Sequence, residues 1–257
     1  MDDIIIDFIE KPELENTILI EGLPGVGNVG KLAVEHLIDQ IEFNKLAEIC
    51  SIYFPPQVLV DDDGIAELVN NQLYYKKNVG EKERDLILLT GDYQGMTPQG
   101  QYQLTNEVLS MTQQFDVTQI FALGGYGQGE LVDKPKVLGA STTPEMVKNM
   151  KDLGVTYSKE HPASGIVGAS GLLLGLGQKL YDIPGTCLMG ETSGYFVDPA
   201  AARVVLEILV KYLGLEISYE ELDDKAEEVE ELTSKVKDIE MGGMKQESGS
   251  KDLNYIG

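Results

Sequence analysis

A ten-residue segment, Gly22–Lys31, combines the spacings of two nucleotide-binding loops. It fits G-x-G-x-x-G and, from its second glycine onwards, G-x-x-x-x-G-K; the glycines concerned are Gly25, Gly27 and Gly30. The segment lies between an apolar run that predicts a buried strand and a periodic pattern that predicts a helix. In that setting, backbone N–H groups and a helix N-terminus can hold a phosphate.

Both versions of the motif lack a residue that the chemistry needs. Leu32 follows Lys31, where a P-loop has the Ser or Thr that binds Mg²⁺. A dinucleotide site needs an acid at the end of the next strand, whereas Glu48 stands near the start of that strand. We therefore interpret the segment as a tight strand-to-helix turn whose glycines permit close packing. The alternative is a nucleotide- or phosphate-binding enzyme that uses the residues from Gly25 to Lys31.

The residue types that most often carry catalysis are few and poorly spaced. Of the two histidines, His36 lies beside the apolar stripe of its predicted helix, which predicts a solvated position, and His161 precedes a proline in a loop. Neither has a metal-ligand spacing to another His, Cys or acid. The sequence has no G-x-S-x-G elbow, although a Ser–His–acid triad stays open because triads assemble in space. The sequence predicts a protein that is not an enzyme and that binds no cofactor and no metal.

Two acids follow predicted strands, at positions where a ligand can bind. Asp92 could serve as the Mg²⁺-linked acid of an ATPase, but the hydroxyl that would accompany it beside Lys31 is missing. Glu191 stands at a similar position in the sequence. An acid at a strand end binds a ligand or accepts hydrogen bonds from the N–H groups of the next turn. We expect the second role for both.

Composition and charge narrow the class of partner. The net charge of −23 argues against nucleic acid or an anionic membrane as the main partner. The N-terminus carries acids where a signal peptide would be basic, which predicts a cytoplasmic protein. Cys50 and Cys187 each lie in an apolar run, and we expect buried free thiols and not a disulfide.

Strand-like runs alternate with helical patterns from residue 4 to about residue 213. This alternation predicts an α/β fold with a largely parallel sheet covered by helices. The runs 85–90 and 119–123 are short and continuously apolar, as central strands are. The runs 57–60 and 72–76 are more polar and predict a less buried, antiparallel ribbon.

Local signals predict where several helices begin and end. A capping side chain precedes a proline at three positions, which predicts three helix starts: Thr97-Pro98, Thr143-Pro144 and Asp198-Pro199. Gly154 predicts the end of the helix that begins at Pro144.

The composition changes near residue 216, and we predict three parts: an α/β domain (1–215), an acidic amphipathic helix (216–240) and a flexible tail (241–257). The second part has eleven acids and three lysines, yet apolar residues recur along it every seven positions: Leu222, Val229 and Val236. Such a stripe packs on its own domain or on a neighbouring copy. The tail is rich in glycine and polar residues before it becomes apolar again at its end.

Five glycine-bearing blocks occur in an order that resembles the archaeal proteasome-assembly-chaperone family: residues 21–30, 89–94, 123–127, 168–175 and 190–195. The resemblance covers most of residues 4–213. It implies a three-layer α/β/α fold similar to phosphorylases and some hydrolases, used without a known active site. It also implies self-association and binding to proteasome subunits or to the assembled core particle.

Activator-like members of that family carry a C-terminal hydrophobic–tyrosine–any motif. It docks in pockets between neighbouring α-subunits, where the terminal carboxylate meets a lysine. The resemblance implies a docking segment here with four partner-binding residues: Leu253, Tyr255, Ile256 and Gly257. Tyr255 is third from the end, however, and one extra residue moves the carboxylate by roughly 3 Å relative to the ring. The alternatives are a tail that packs on its own protein or on a sister subunit, and a scaffold for another small protein.

Overall fold

A mixed sheet of eight strands forms the centre of the computed structural model, which describes residues 2–157 and 165–232. Across the sheet the strands are β1 (Ile4–Phe8), β3 (Asn44–Ser51), β6 (Asn71–Val79), β7 (Arg84–Gly91), β2 (Thr17–Glu21), β8 (Val117–Gly127), β10 (Gly185–Thr192) and β9 (Val137–Ser141). The four central strands, from β7 to β10, are parallel, and the outer pairs are antiparallel. Two short strands, β4 (Val58–Val60) and β5 (Ala66–Leu68), form a separate ribbon.

Helices cover both faces of the sheet. One face carries α1 (Val29–Gln40), α3 (Pro144–Asp152) and α5 (Pro199–Leu213), and the other carries α2 (Pro98–Thr112) and α4 (Ala169–Leu180). Strand β2 is buried along its whole length. Ile18 and Ile20 pack in the core beneath α1, α3 and α5, and Leu19 packs in the core beneath α2 and α4. This alternation between two cores defines a three-layer α/β/α fold, and it confirms the fold class that the sequence predicts.

The three predicted helix starts are confirmed with their side-chain caps. Oγ1 of Thr97 accepts a hydrogen bond from the N–H of Gly100 (3.0 Å), and Oδ1 of Asp198 accepts one from the N–H of Ala201 (2.9 Å). Thr143 makes the equivalent contact at the start of α3. Gly154 has a φ of +96° just after α3, where only a residue tolerant of a left-handed backbone is free of strain.

The predicted pairing of residues 57–60 with 72–76 is wrong. The first run pairs with β5 to form the ribbon, whereas the second lies in β6, inside the main sheet between β3 and β7. In β6 alternate side chains, including Leu73 and Tyr75, are buried, and this half-buried alternation is typical of a strand with one face on the core. From the sequence alone, the polar residues that alternate with these buried side chains suggest a more exposed strand.

Residues 220–232 are helical and form what we call the acidic helix. The chain enters it beside the end of α1, because the N–H of Ser218 donates to Oε1 of Gln40 (3.1 Å). Farther along, Val229 lies near Pro199, at the start of α5. The acidic helix therefore runs antiparallel to α1 and α5, from the edge of the sheet where those helices end toward the edge where they begin. The predicted boundaries at 215 and 240 stay predictions, and residues 233–257 lie outside the described part.

Both cysteines are free, and Cys187 is buried whereas Cys50 is partly exposed. Within residues 2–157 and 165–232, every helix is too short or too polar to cross a membrane.

Candidate functional site

The parallel strands β7, β2, β8 and β10 all end at one edge of the sheet, which we call the carboxyl edge. Four of the five glycine-bearing blocks reach the end of one of these strands. The fifth contains the start of α4, which lies at the same edge because Ala169 contacts Gln94. In open α/β sheets, this is the edge at which ligands bind. The carboxyl edge is therefore the candidate site.

The glycines of the segment Gly22–Lys31 allow strand and helix to touch. A Cβ atom on Gly22 would lie 2.2 Å from the carbonyl oxygen of Gly30, and one on Gly30 would lie 2.0 Å from the carbonyl oxygen of Leu123. Gly27 has a φ of +62°. Nζ of Lys31 lies 3.5 Å from Oε1 of Glu35, one turn further along α1. This geometry favours the interpretation of the segment as a packing turn.

The acids after the strands fix neighbouring loops in place. Oδ2 of Asp92 accepts a hydrogen bond from the N–H of Asn70 (3.0 Å), at the start of β6. Oε2 of Glu191 accepts one from the N–H of Lys136 (3.1 Å), and its Oε1 accepts one from Nε2 of Gln128 (2.8 Å). Both acids accept backbone N–H bonds as predicted, but from other loops and not from the next turn. The described residues contain no group of three or more His, Cys, Asp or Glu side chains that could hold a metal.

Glu21 is a polar residue of this edge that the sequence reasoning missed. Its side chain is fully buried at the end of β2, where Oγ of Ser170 donates to Oε2 (2.8 Å) and the N–H of Leu23 donates to Oε1 (3.1 Å). Burial raises the pKa of Glu21 to about 7, although both hydrogen bonds act in the opposite direction. The available signal was an acid at the end of an otherwise apolar central strand. Through Ser170, Glu21 joins β2 to the first turn of α4.

Gln94 connects three segments of the carboxyl edge. Its Nε2 donates to the carbonyl oxygen of Pro24 (2.8 Å), and its Oε1 accepts from the N–H of Ala169 (3.0 Å) and from Nε2 of Gln101 (3.2 Å). One amide thus ties the glycine turn to the starts of α4 and α2. Together with Glu21, it makes the inner part of this edge a fixed scaffold.

The predicted solvated position of His36 is wrong. Its side chain is only 4 % exposed, because the segment that leads into the acidic helix covers it. Nε2 of His36 donates to the carbonyl oxygen of Ser218 (2.8 Å), and the ring lies nearly parallel to that of Tyr219. His161, the other histidine, lies outside the described residues.

Exposed apolar side chains are concentrated on the outer part of the carboxyl edge. Large apolar residues with exposed side chains follow each of the parallel strands and β3, or lie at the starts of α2 and α4: Val26, Ile52, Met96, Tyr102, Leu131, Val167, Tyr195, Phe196 and Val197. The β4–β5 ribbon adds five more. At the opposite edge, Ile9 and Leu180 are the exposed residues of this kind among those described. Such an uneven distribution is typical of a protein-binding surface.

The acidic helix forms one wall of a groove at this edge. The groove has a volume of about 300 Å³ and lies between that helix and the loops that follow β8 and β10. Its apolar lining comes from both sides: Leu131, Phe196, Val197, Ala226 and Val229. Leu222, one period before Val229 in the predicted stripe, is 1 % exposed and packs in the core of its own chain. Leu222 of the stripe thus packs on its own domain and Val229 lines the groove, whereas Val236 lies outside the described residues.

Residues 19–237 match the PAC2 family. A Methanocaldococcus jannaschii protein, named only as uncharacterized, is 40% identical over 248 residues, which cover 95% of this chain and 93% of that protein.

Two solved structures from Pyrococcus furiosus are similar over almost their whole length. PbaB, described as an archaeal proteasome activator, has a TM-score of 0.86 and 40% identity and covers 92% of this chain and 100% of its own. PbaA, described as an archaeal homolog of proteasome-assembly chaperone, has a TM-score of 0.75 and 28% identity, with coverage of 99% and 100%.

Proposed function

The chain belongs to the PAC2 family, and we propose that it is a non-enzymatic binding protein that assists assembly or opening of the proteasome core particle. The names of PbaB and PbaA, an activator and an assembly-chaperone homolog of the proteasome, support this class of partner. The observation that carries the proposal is the carboxyl edge. Its polar groups hold loops together, whereas its outer surface exposes apolar side chains, an arrangement suited to binding a protein and not to catalysis.

In this proposal the tail and the carboxyl edge act on the same partner. The described part of the acidic helix runs toward the carboxyl edge, and the tail predicted for residues 241–257 follows that helix in the sequence. A flexible tail of this length would span roughly 20–25 Å. The docking segment with Leu253, Tyr255, Ile256 and Gly257 then reaches pockets of the core particle's α-subunits that lie beside the surface in contact with the edge.

The protein is proposed to act in the cytoplasm as a homo-oligomer. Several tethered tails raise one another's effective concentration, so that tails with weak individual affinity bind usefully together. A platform of several domains also presents several carboxyl edges to the same partner.

Binding of the purified protein to immobilised core particle tests the proposal. Tyr255→Ala, or deletion of residues 253–257, is expected to weaken binding by roughly thirtyfold, because a buried aromatic hot spot contributes about 2 kcal/mol. Lys251→Ala lies in the same tail and is the matched control, for which we expect little change. Light scattering and thermal melting should show the same mass and stability for all forms. Equal affinity of the intact and tail-deleted proteins would show that the tail is not the anchor.

A further inference from the structure

The β4–β5 ribbon projects from the carboxyl edge, and the chain is anchored in the core at both ends of the ribbon. Every residue from 56 to 68 is exposed. The side chains that flank this stretch, Phe54 and Val69, are buried in the core. The ribbon is therefore held at its base, while its body extends away from the domain.

Both faces of the ribbon carry exposed aliphatic side chains. The pairing of β4 with β5 places Val58 and Val60 on one face with Leu68, and it places Leu59 on the other. Val60 is 64% exposed and Leu68 57%. A two-stranded ribbon alone is only marginally stable in water, and the described residues of this chain leave both of its faces exposed. An apolar partner on each face would remove these side chains from water.

Hydrogen bonds at the base order the ribbon before any partner binds. The N–H of Asp92 donates to the carbonyl oxygen of Asn70 (3.0 Å), whose own N–H donates to Oδ2 of Asp92 (3.0 Å). At the other end of the ribbon, Nε2 of Gln57 donates to the hydroxyl of Tyr93 (2.6 Å). A segment that is already ordered loses less conformational entropy on binding, which favours affinity.

Charge indicates the chemistry of the partner surface. Three consecutive acids, Asp61 to Asp63, form the tip of the ribbon, and Glu67 lies on one face. A second copy of the ribbon would bring eight carboxylates together in a protein whose net charge is already −23. Like charges in an interface oppose association, whereas lysine or arginine around the contact favours it. The ribbon therefore fits an apolar cleft with a basic rim on a different protein.

The ribbon and the last described turns of the acidic helix lie at the same edge of the molecule. The ribbon follows β3, and Val229 of the acidic helix lies beside the loop that follows β10. These strands are five positions apart in the sheet, a distance of about 24 Å. A partner that covers the carboxyl edge can therefore contact both.

From these observations we propose that the β4–β5 ribbon is a second anchor for the partner that the tail binds. It inserts into an apolar cleft, rimmed by lysine or arginine, on the proteasome core particle. This inference rests on the proposed function for the identity of the partner. It adds a contact made by the folded domain, and that contact persists when the tail is removed.

A matched pair of double variants tests the ribbon. Val60→Ser with Leu68→Ser replaces two exposed aliphatic side chains of the ribbon with small polar ones. Ile9→Ser with Leu180→Ser makes the same change on the opposite edge, where the side chains are 54% and 60% exposed. Binding of intact and tail-deleted forms to immobilised core particle is measured for both pairs. We expect about tenfold weaker binding for the ribbon variant, no change for the control, and loss of the residual binding when ribbon and tail changes are combined.

Salt dependence gives an independent readout. Asp62→Asn with Asp63→Asn should slow association at low salt and reduce its dependence on salt, because these acids are exposed. If the unmodified protein binds and the ribbon variant binds as tightly as its control, the ribbon assignment is overturned and the proposed function is not. A lower oligomer mass for the ribbon variant in light scattering would overturn it in favour of a second copy. Absence of binding by the intact protein would overturn the proposed function itself.

Discussion

Nε2 of His36 donates a hydrogen bond of 2.8 Å to the carbonyl oxygen of Ser218, a residue 182 positions further along the chain. The centroid of the Tyr219 ring lies 6.3 Å from the centroid of the His36 imidazole. The Arg203 guanidinium lies 5.3 Å from the centroid of the same tyrosine ring, and its Nε lies 2.7 Å from Oδ1 of Asp223. These contacts hold the start of the acidic helix against α1 and α5, and thereby direct its other end to the carboxyl edge.

His36→Ala should release the acidic helix without unfolding the domain. The change removes one hydrogen bond and the packing of the imidazole, so we expect about 1–2 kcal/mol less stability for the docked helix. Hydrogen exchange of amides 220–232 should accelerate, while that of β2 stays slow. Glu107→Ala, an exposed change on α2, is the control. Unchanged exchange in the helix would show that other contacts hold it.

The glycine turn should behave as a structural element. Gly27→Val forces a β-branched side chain into a backbone with φ of +62° and places its Cβ 3.0 Å from Oγ1 of Thr192. We expect a loss of about 2 kcal/mol or more in the free energy of unfolding. Lys31→Ala removes only a partly exposed pair with Glu35 and should change stability by less than about 0.5 kcal/mol.

Nucleotides provide the opposing test for the same turn. A ligand at 100 times its dissociation constant would add about 2.7 kcal/mol of stability, so thermal melts with ATP or NAD report binding directly. We expect no shift with either. Micromolar binding that disappears in Lys31→Ala would instead support the phosphate-binding alternative.

Local chemistry explains which parts of the fold the sequence predicts. The caps at Thr97, Thr143 and Asp198 act within three residues of their own position, so the helix starts are readable from short stretches. The central strands can also be predicted from short stretches of sequence, because their apolar runs are continuous. The glycine spacing predicts a tight turn at this position, but it does not show what the turn packs against. The close approach of Gly30 to the carbonyl oxygen of Leu123 joins positions far apart in sequence.

Long-range contacts explain the errors. The helical pattern around His36 shows which face it occupies, but not that Ser218 and Tyr219 cover that face. The sequence shows Glu21 as an acid at the end of an apolar strand. It does not show the hydrogen-bond partner, Ser170, because that residue is 149 positions away. Likewise, residues 72–76 alternate in polarity as a ribbon strand does, and only the neighbouring strands β3 and β7 place them in the main sheet. Each error concerns the distant segment that packs against a residue. The local sequence pattern around that residue does not identify this segment.

Glu21 should make stability depend on pH in a defined window. Burial raises its pKa from an ordinary value of 4.5 to about 7 in the folded protein. Between these two pH values the folded state holds a proton that the unfolded state has lost. The contribution of Glu21 to stability is therefore complete below about pH 4.5 and is lost as pH rises through about 7, by up to about 3 kcal/mol.

Glu21→Gln removes this dependence because an amide does not ionise in that range. Urea denaturation at pH 4.5, 6 and 8 gives the free energy of unfolding of each protein. The difference between variant and unmodified protein should shift in favour of the variant by about 3 kcal/mol from pH 4.5 to pH 8. In the control, Glu107→Gln, an exposed acid is neutralised, and the corresponding difference should stay nearly constant. A constant difference for Glu21→Gln as well would show that its carboxyl ionises normally in the folded state.

Removal of Gly257 tests the register of the proposed docking segment. Tyr255 is third from the end of the sequence, so the deletion makes it second and shifts the carboxylate by roughly 3 Å relative to the ring. If docking needs the tyrosine in second place, binding to immobilised core particle should strengthen, and adding Tyr255→Ala should abolish the gain. Gly257→Ala keeps the length and is the control. Asn254→Leu in the shortened chain should strengthen binding further, since an apolar residue is preferred before the tyrosine. Weaker or unchanged binding after the deletion would show that the tail docks in the register it already has.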